Sequence, residues 1–228
     1  MGFEAVVFDL DGTLIDSVPD VANAVNVMLA KRGRRTLSAD EVRLMVGEGA
    51  RVMLERAFAA TGGPANDVED AMRDYLAAYS ARPVADTVPY PGVVAALERL
   101  TARGVKLGVC TNKNEAVTRL VLDSLGLSRL LTAVTGGDTF PYCKPDGRHV
   151  TGTLERMGVR GRAAYVGDSE TDMAAARDAR LPVIAVAFGY SKGGVENLGA
   201  DRVIGHYDDL DSALAGLADA ECRPQPVT

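Results

Sequence analysis

Ala5–Val6–Val7–Phe8 is an apolar run of strand length that ends abruptly on Asp9–Leu10–Asp11–Gly12–Thr13. A short continuous apolar run bounded by turn residues suits a strand covered on both faces, as in a parallel sheet. Aspartate is depleted in strands and costly to bury unless its charge is paired. Two of them, spaced i and i+2 at a strand's C-terminal end, require a cation and can be aimed to one side of the extended chain. That end of a strand is also where open α/β sheets bind ligands. One carboxylate can attack while the other moves protons. The competing reading is an Asp-Gly turn closing a hairpin; it weakens because Leu14 and Ile15 follow instead of a second alternating strand.

The rest of the chain sets the limits. Its 228 residues suffice for one large domain, or for one domain carrying an insertion. A net charge of −6 argues against a duplex nucleic-acid binder, and the absence of Trp argues against base stacking. No run approaches the roughly 18 apolar residues of a membrane span, and no signal-peptide pattern precedes the first strand. Cys110, Cys143 and Cys222 are odd in number, widely spaced and without zinc spacing, which predicts reduced thiols and a cytoplasmic protein. Neither a nucleic acid nor a membrane is expected as a partner.

From Ser17 to Val88 the pattern is helical. Helices are expected over Val21–Arg32, from Ser38 through Val46, over Arg51–Ala60 and over Asp67–Ser80. Ser38 and Glu41 form a capping-box signature, and Gly33 suits the end of the first helix. Pro83, Pro89 and Pro91 then punctuate a stretch that helices cannot cross. Beyond it strands and helices alternate: Val105–Cys110, Leu131–Val134, Ala163–Val166, Val183–Val186 and Arg202–Ile204 read as strands. This order predicts an α/β fold, a doubly wound parallel-sheet (Rossmann-like) core over 1–16 and 90–220. A helical cap domain over 17–89 would interrupt it, and 221–228 would be a disordered tail. The protein would be a monomer or a homodimer, with Val25, Met28 and Leu29 offering a pairing face.

Each informative polar group follows a predicted strand. Cys110–Thr111–Asn112–Lys113 stands where a strand meets a helix start, a place suited to anions, although Thr111 or Asn112 would equally serve as a helix cap. Lys144 precedes Pro145 and offers a point charge for an oxyanion, while Asp146 suits the cap of the next helix. Asp168 and Asp172, in Gly167–Asp168–Ser169–Glu170–Thr171–Asp172, lie one helical turn apart and can converge on one metal. In the helical segment, Gly47–Glu48–Gly49–Ala50–Arg51 could drop over the site, with Gly49 allowing close approach and Arg51 meeting a carboxylate. An ordinary interhelix turn with Arg51 in solvent explains the same residues.

The four motifs, in this order, resemble those of the haloacid-dehalogenase-like (HAD) phosphohydrolase superfamily, and the resemblance spans almost the whole chain. It implies a Mg²⁺-dependent phosphatase working through an aspartyl-phosphate, with a small phosphorylated metabolite as its partner. Asp9 would be the nucleophile and Asp11 the general acid and base. Mg²⁺ would be held by Asp9, the Asp11 carbonyl and Asp168, with Asp172 orienting Asp168 or a metal-bound water from behind. Lys144 and Thr111 would hold the phosphoryl oxygens, and Gly12, Thr13, Asn112, Gly49 and Arg51 would contact substrate. The runs Gly47–Arg51, Pro89–Val93, Thr111–Lys113, Gly136–Asp138 and Phe188–Tyr190 are similar to the phosphoglycolate phosphatase branch. Asp146–Gly147 departs from relatives that often place a second proline there. The alternatives are a sugar-phosphate phosphatase, β-phosphoglucomutase-like phosphoryl transfer and a receiver-like phospho-aspartate switch. Asp11 argues against a dehalogenase, and the length of the chain against a receiver.

Overall fold

The computed structural model describes residues 2–64 and 67–221. Strand β1 (Ala5–Phe8) is followed by a two-residue strand, β2 (Ile15–Asp16), and by four helices, α1 (Val18–Ala30), α2 (Ala39–Arg43), α3 (Ala50–Ala60) and α4 (Val68–Ala81). Strand β3 (Val88–Pro89) brings the chain back beside β2 as an antiparallel pair. Then come α5 (Val93–Ala102), β4 (Lys106–Cys110), α6 (Glu115–Ser124), β5 (Ala133–Thr135), α7 (Gly147–Arg156) and β6 (Ala163–Gly167). The chain continues through α8 (Glu170–Asp178), β7 (Val183–Val186), β8 (Arg202–Ile204) and α9 (Leu210–Glu221). Glu221 closes α9, and the rest of the expected disordered tail, 222–228, lies outside the described residues.

Six strands form one parallel sheet in the order β5-β4-β1-β6-β7-β8. The chain leaves β1 in both directions, so the strand order reverses there and a crevice opens at the C-terminal ends of β1, β4 and β6. Alternation along β1 divides the interior in two. Val6 and Phe8 face the layer that holds α5, α6 and α9, and Ala5 and Val7 face α7 and α8. All four β1 residues are buried, which is why no polar residue interrupts the run before Asp9.

The four helices between β2 and β3 join the first of these cores through Val25, Met28, Leu54 and Phe58. Val25, Met28 and Leu29 are fully buried within it, which corrects their expected part in subunit pairing. Their apolar spacing on α1 reports an internal face packed on α4, not an outer one. The short β2–β3 ribbon was missing from the sequence reading, since two residues are too few to show alternation.

Candidate active site

Asp9 continues directly from β1 and is 6% exposed. Its Oδ1 lies 2.8 Å from Lys144 Nζ, which also donates to Asp172 Oδ1 at 2.7 Å and to the Tyr165 hydroxyl at 3.1 Å. The loop between β5 and α7 delivers Lys144 into this cluster, and its side chain is 1% exposed. A lysine so placed would lose its proton to burial, but Asp172 and Asp9 outweigh that and hold it above its ordinary value. The Lys144–Pro145 peptide bond is cis.

Asp168 leaves the end of β6 and is 2% exposed. Thr13 Oγ1 donates to its Oδ1 at 2.8 Å, and the Tyr190 backbone N–H donates to its Oδ2 at 2.7 Å. Asp172 accepts from the Asp168 and Ser169 backbone N–H groups and from Ser169 Oγ, and so closes the cap of α8. Asp172 therefore anchors Lys144 and the 168–169 backbone; the Asp168 side chain is oriented instead by Thr13 and Tyr190. Burial pushes the Asp168 carboxyl well up, and the charges of Asp172 and Asp9 add to it. Burial also raises Asp9, against the pull of Lys144.

One oxygen each from Asp9, Asp168 and Asp172 lies within 4.8 Å of the others. Three buried carboxylates facing one lysine leave negative charge uncompensated, and Asp9 Oδ1 accepts no well-formed hydrogen bond. The oxygens of Asp172 are committed to Lys144, Tyr165 and Ser169, whereas each oxygen of Asp168 accepts a single hydrogen bond, so Asp9 and Asp168 are the pair with lone pairs left for a cation. This donor set of hard oxygens fits a divalent cation such as Mg²⁺.

Asp11 is turned to the other side. Ser17 Oγ donates to its Oδ1 at 2.5 Å, and Lys113 Nζ reaches both of its oxygens at 3.0 and 3.1 Å. Lys113 also lies 4.4 Å from the centre of the Tyr79 ring. Burial would lower the Lys113 ammonium, but Asp11 outweighs it and raises it. Thr111, 2% exposed, follows β4, and its backbone N–H pairs with the Thr135 carbonyl. Asn114, not Thr111 or Asn112, caps α6, because its side chain accepts from the Val117 N–H. The Thr111 hydroxyl accepts a long hydrogen bond, 3.4 Å, from the Lys113 backbone N–H, and the residue lines the crevice.

A cavity of about 50 Å³ lies between these strand ends and the helices, lined by Asp9, Asp11, Thr111, Lys113, Met53 and Tyr75 among others. The loop 47–49 forms one wall, tied down by Asn112 Nδ2, which donates to the Gly47 carbonyl at 3.1 Å and to the Lys144 carbonyl at 2.9 Å. Gly49 (φ 91°) caps α3 without a side chain, and a Cβ there would sit 3.5 Å from the Asn112 carbonyl.

Three expected substrate contacts require correction. Arg51 is half exposed and pairs with Glu69 on α4. It sits at the edge of the α3 stripe formed by Met53, Leu54, Ala57 and Phe58, so helix geometry carries it past the cavity. Thr13 is fully buried and spends its hydroxyl on Asp168. Gly12 (φ 85°) packs against Asp168, where an added Cβ would lie 2.4 Å from Oδ2. Both are supports for a carboxylate. Lys113, Tyr165, Tyr190 and Ser17 were not assigned from sequence, since their partners lie on distant segments; for Lys113 the only signal was its place two residues after Thr111.

The model of the haloacid dehalogenase-like hydrolases matches residues 6–186, from β1 to the end of β7. The chain belongs to that family. Phosphoglycolate phosphatase of Caulobacter vibrioides is 45% identical over 216 residues, covering 93% of this chain and 91% of that protein. The enzyme of the same name from Rhodospirillum rubrum is 43% identical over 230 residues, covering 98% and 92%. The crystal structure of a predicted phosphoglycolate phosphatase from Haemophilus somnus superposes with a TM-score of 0.87 at 28% identity, covering 92% of this chain and 97% of that one. The resemblance drawn from the four motifs is thereby borne out, and so is the α/β fold of the family core.

Proposed function

We propose that this phosphoric monoester hydrolase cleaves 2-phosphoglycolate to glycolate and inorganic phosphate through an aspartyl-phosphate on Asp9. The observation that carries the reading is the convergence of Asp9, Asp11, Thr111, Lys144 and Asp168 on one crevice at the strand ends. Relatives named for this activity at 45% and 43% identity support the substrate.

In this reading residues 17–89 are a cap closing over a core of 1–16 and 90–220. Asp9 attacks phosphorus in line, and the bond to the ester oxygen breaks. Asp11 gives its proton to the departing alkoxide, then takes one from the water that splits the acyl phosphate. Lys144, beside Asp9, offsets the repulsion between carboxylate and phosphate, and Thr111 holds a phosphoryl oxygen. Mg²⁺, held by Asp9, the Asp11 carbonyl and Asp168, would supply further positive charge for the phosphoryl oxygens. The two described cysteines are free thiols, consistent with a reducing cytoplasm.

Release of inorganic phosphate from 2-phosphoglycolate, hexose phosphates and other small esters, with and without Mg²⁺, tests the assignment. Fast metal-dependent release from 2-phosphoglycolate is expected. A flat response there with fast release from a hexose phosphate would overturn the substrate.

A further inference from the structure

Lys113 is a buried cation that the mechanism above leaves unused. Among the described residues lining the cavity it is the only lysine or arginine, and its side chain is 8% exposed. Much of the remaining wall is apolar, including Val21, Val46, Ala50, Met53 and Leu76. A charge is costly to place in such a wall unless something pairs with it. Its carboxylate partner is Asp11, at 3.0 Å.

That position bears on the leaving group. The proton donor must sit within hydrogen-bond distance of the ester oxygen it protonates. In a phosphorylated 2-hydroxy acid the carboxyl carbon lies only two bonds from that oxygen. A cation in contact with Asp11 is therefore next to the place where the leaving group's own carboxylate must lie. Arg51, the other candidate for this contact, is turned away and paired with Glu69.

We propose that Lys113 is the specificity-determining residue, its ammonium receiving the carboxylate of the leaving group and so selecting phosphorylated small acids over neutral esters. The proposal rests on the phosphatase reading above. A site built around a buried polar contact rejects analogues that lack the complementary group far more strongly than an apolar wall can.

The test compares 2-phosphoglycolate with ethyl phosphate, in which a methyl group replaces the carboxylate. Wild-type protein, Lys113→Met and Lys113→Arg are assayed for phosphate release, and both esters are titrated into each by calorimetry. For Lys113→Met the ratio of kcat/KM between the two esters is expected to fall about a hundredfold, mainly through KM. Inhibition by glycolate should weaken in parallel while inhibition by inorganic phosphate persists. Lys113→Arg should recover part of the ratio. Equal losses on both esters would assign Lys113 to holding Asp11 alone and overturn the proposal, as would an unchanged ratio. A wild-type protein that hydrolyses neither ester would refute the phosphatase reading instead. In that case calorimetric preference for 2-phosphoglycolate, lost in Lys113→Met, still supports the Lys113 contact, and its absence still refutes it.

Discussion

Asp9 and Asp11 are two residues apart yet end in opposite electrostatic settings. Asp9 faces Lys144, Asp168 and Asp172, whereas Asp11 faces Lys113 and Ser17. In the proposed mechanism such a separation would let one carboxylate act as nucleophile and the other as proton carrier. Asp9→Asn is expected to lower turnover by about 10⁴-fold or more with the fold retained, as read by steady-state kinetics and circular dichroism. Thr111→Val, which in the proposed mechanism would remove one oxyanion donor, should cost about 10²-fold in kcat. Elsewhere, His149 is fully buried in α7, and burial, followed by the charge of Lys144, lowers it to about 4. The unfolded chain binds this proton near pH 6.5 and the folded chain does not. The stability contribution is therefore present above pH 6.5 and is lost as the pH falls toward 4. Urea unfolding should show a loss of about 2 kcal/mol from this group between pH 7 and pH 5, absent in His149→Leu.

Where the helices join the sheet, α1 carries a clasp. Asp20 Oδ2 accepts from the backbone N–H groups of Ala85, Asp86 and Thr87 and from Thr87 Oγ1, all between 2.7 and 3.0 Å. Burial works against this carboxylate, but the Thr87 hydroxyl and the three N–H groups outweigh it and hold it below its ordinary value. Its stabilisation is thus present at neutral pH and lost only as the pH falls through the acid range below about 4. Asp20→Ala should cost about 3 kcal/mol at pH 7, because it strands several donors at once. Proteolysis within 82–91 should quicken in the same variant. The capping box of α2 was legible in advance, as Ser38 and Glu41 satisfy each other's neighbouring backbone groups. The clasp was not, since Asp20 and Thr87 lie 67 residues apart.

At the scale of the whole molecule, negative side chains from the ends of β1 and β6 and from α8 meet beside a cavity that is also lined by helices preceding most of the sheet in sequence. Cation binding should relieve the repulsion between Asp9 and Asp168. Mg²⁺ at a hundredfold excess over its Kd is expected to add about 3 kcal/mol of stability, a rise of roughly 5–10 °C in Tm. Scanning calorimetry should show that rise in the wild type and lose it in Asp168→Asn. The sequence alone determined the six strands of the parallel sheet, the alternation with helices that made it parallel, and the acids, threonine and lysine standing after strand ends. Those follow from local chemistry: apolar runs must be covered, and charges collect where strands stop. Only the tertiary structure decided that Arg51 turns outward, that Thr13 braces Asp168, that Val25 and Met28 face inward, and that Lys113 pairs with Asp11. Partners such as Thr13 and Asp168, 155 residues apart, meet through the strand order of the sheet, and no local pattern records which side chain will fill the space opposite another.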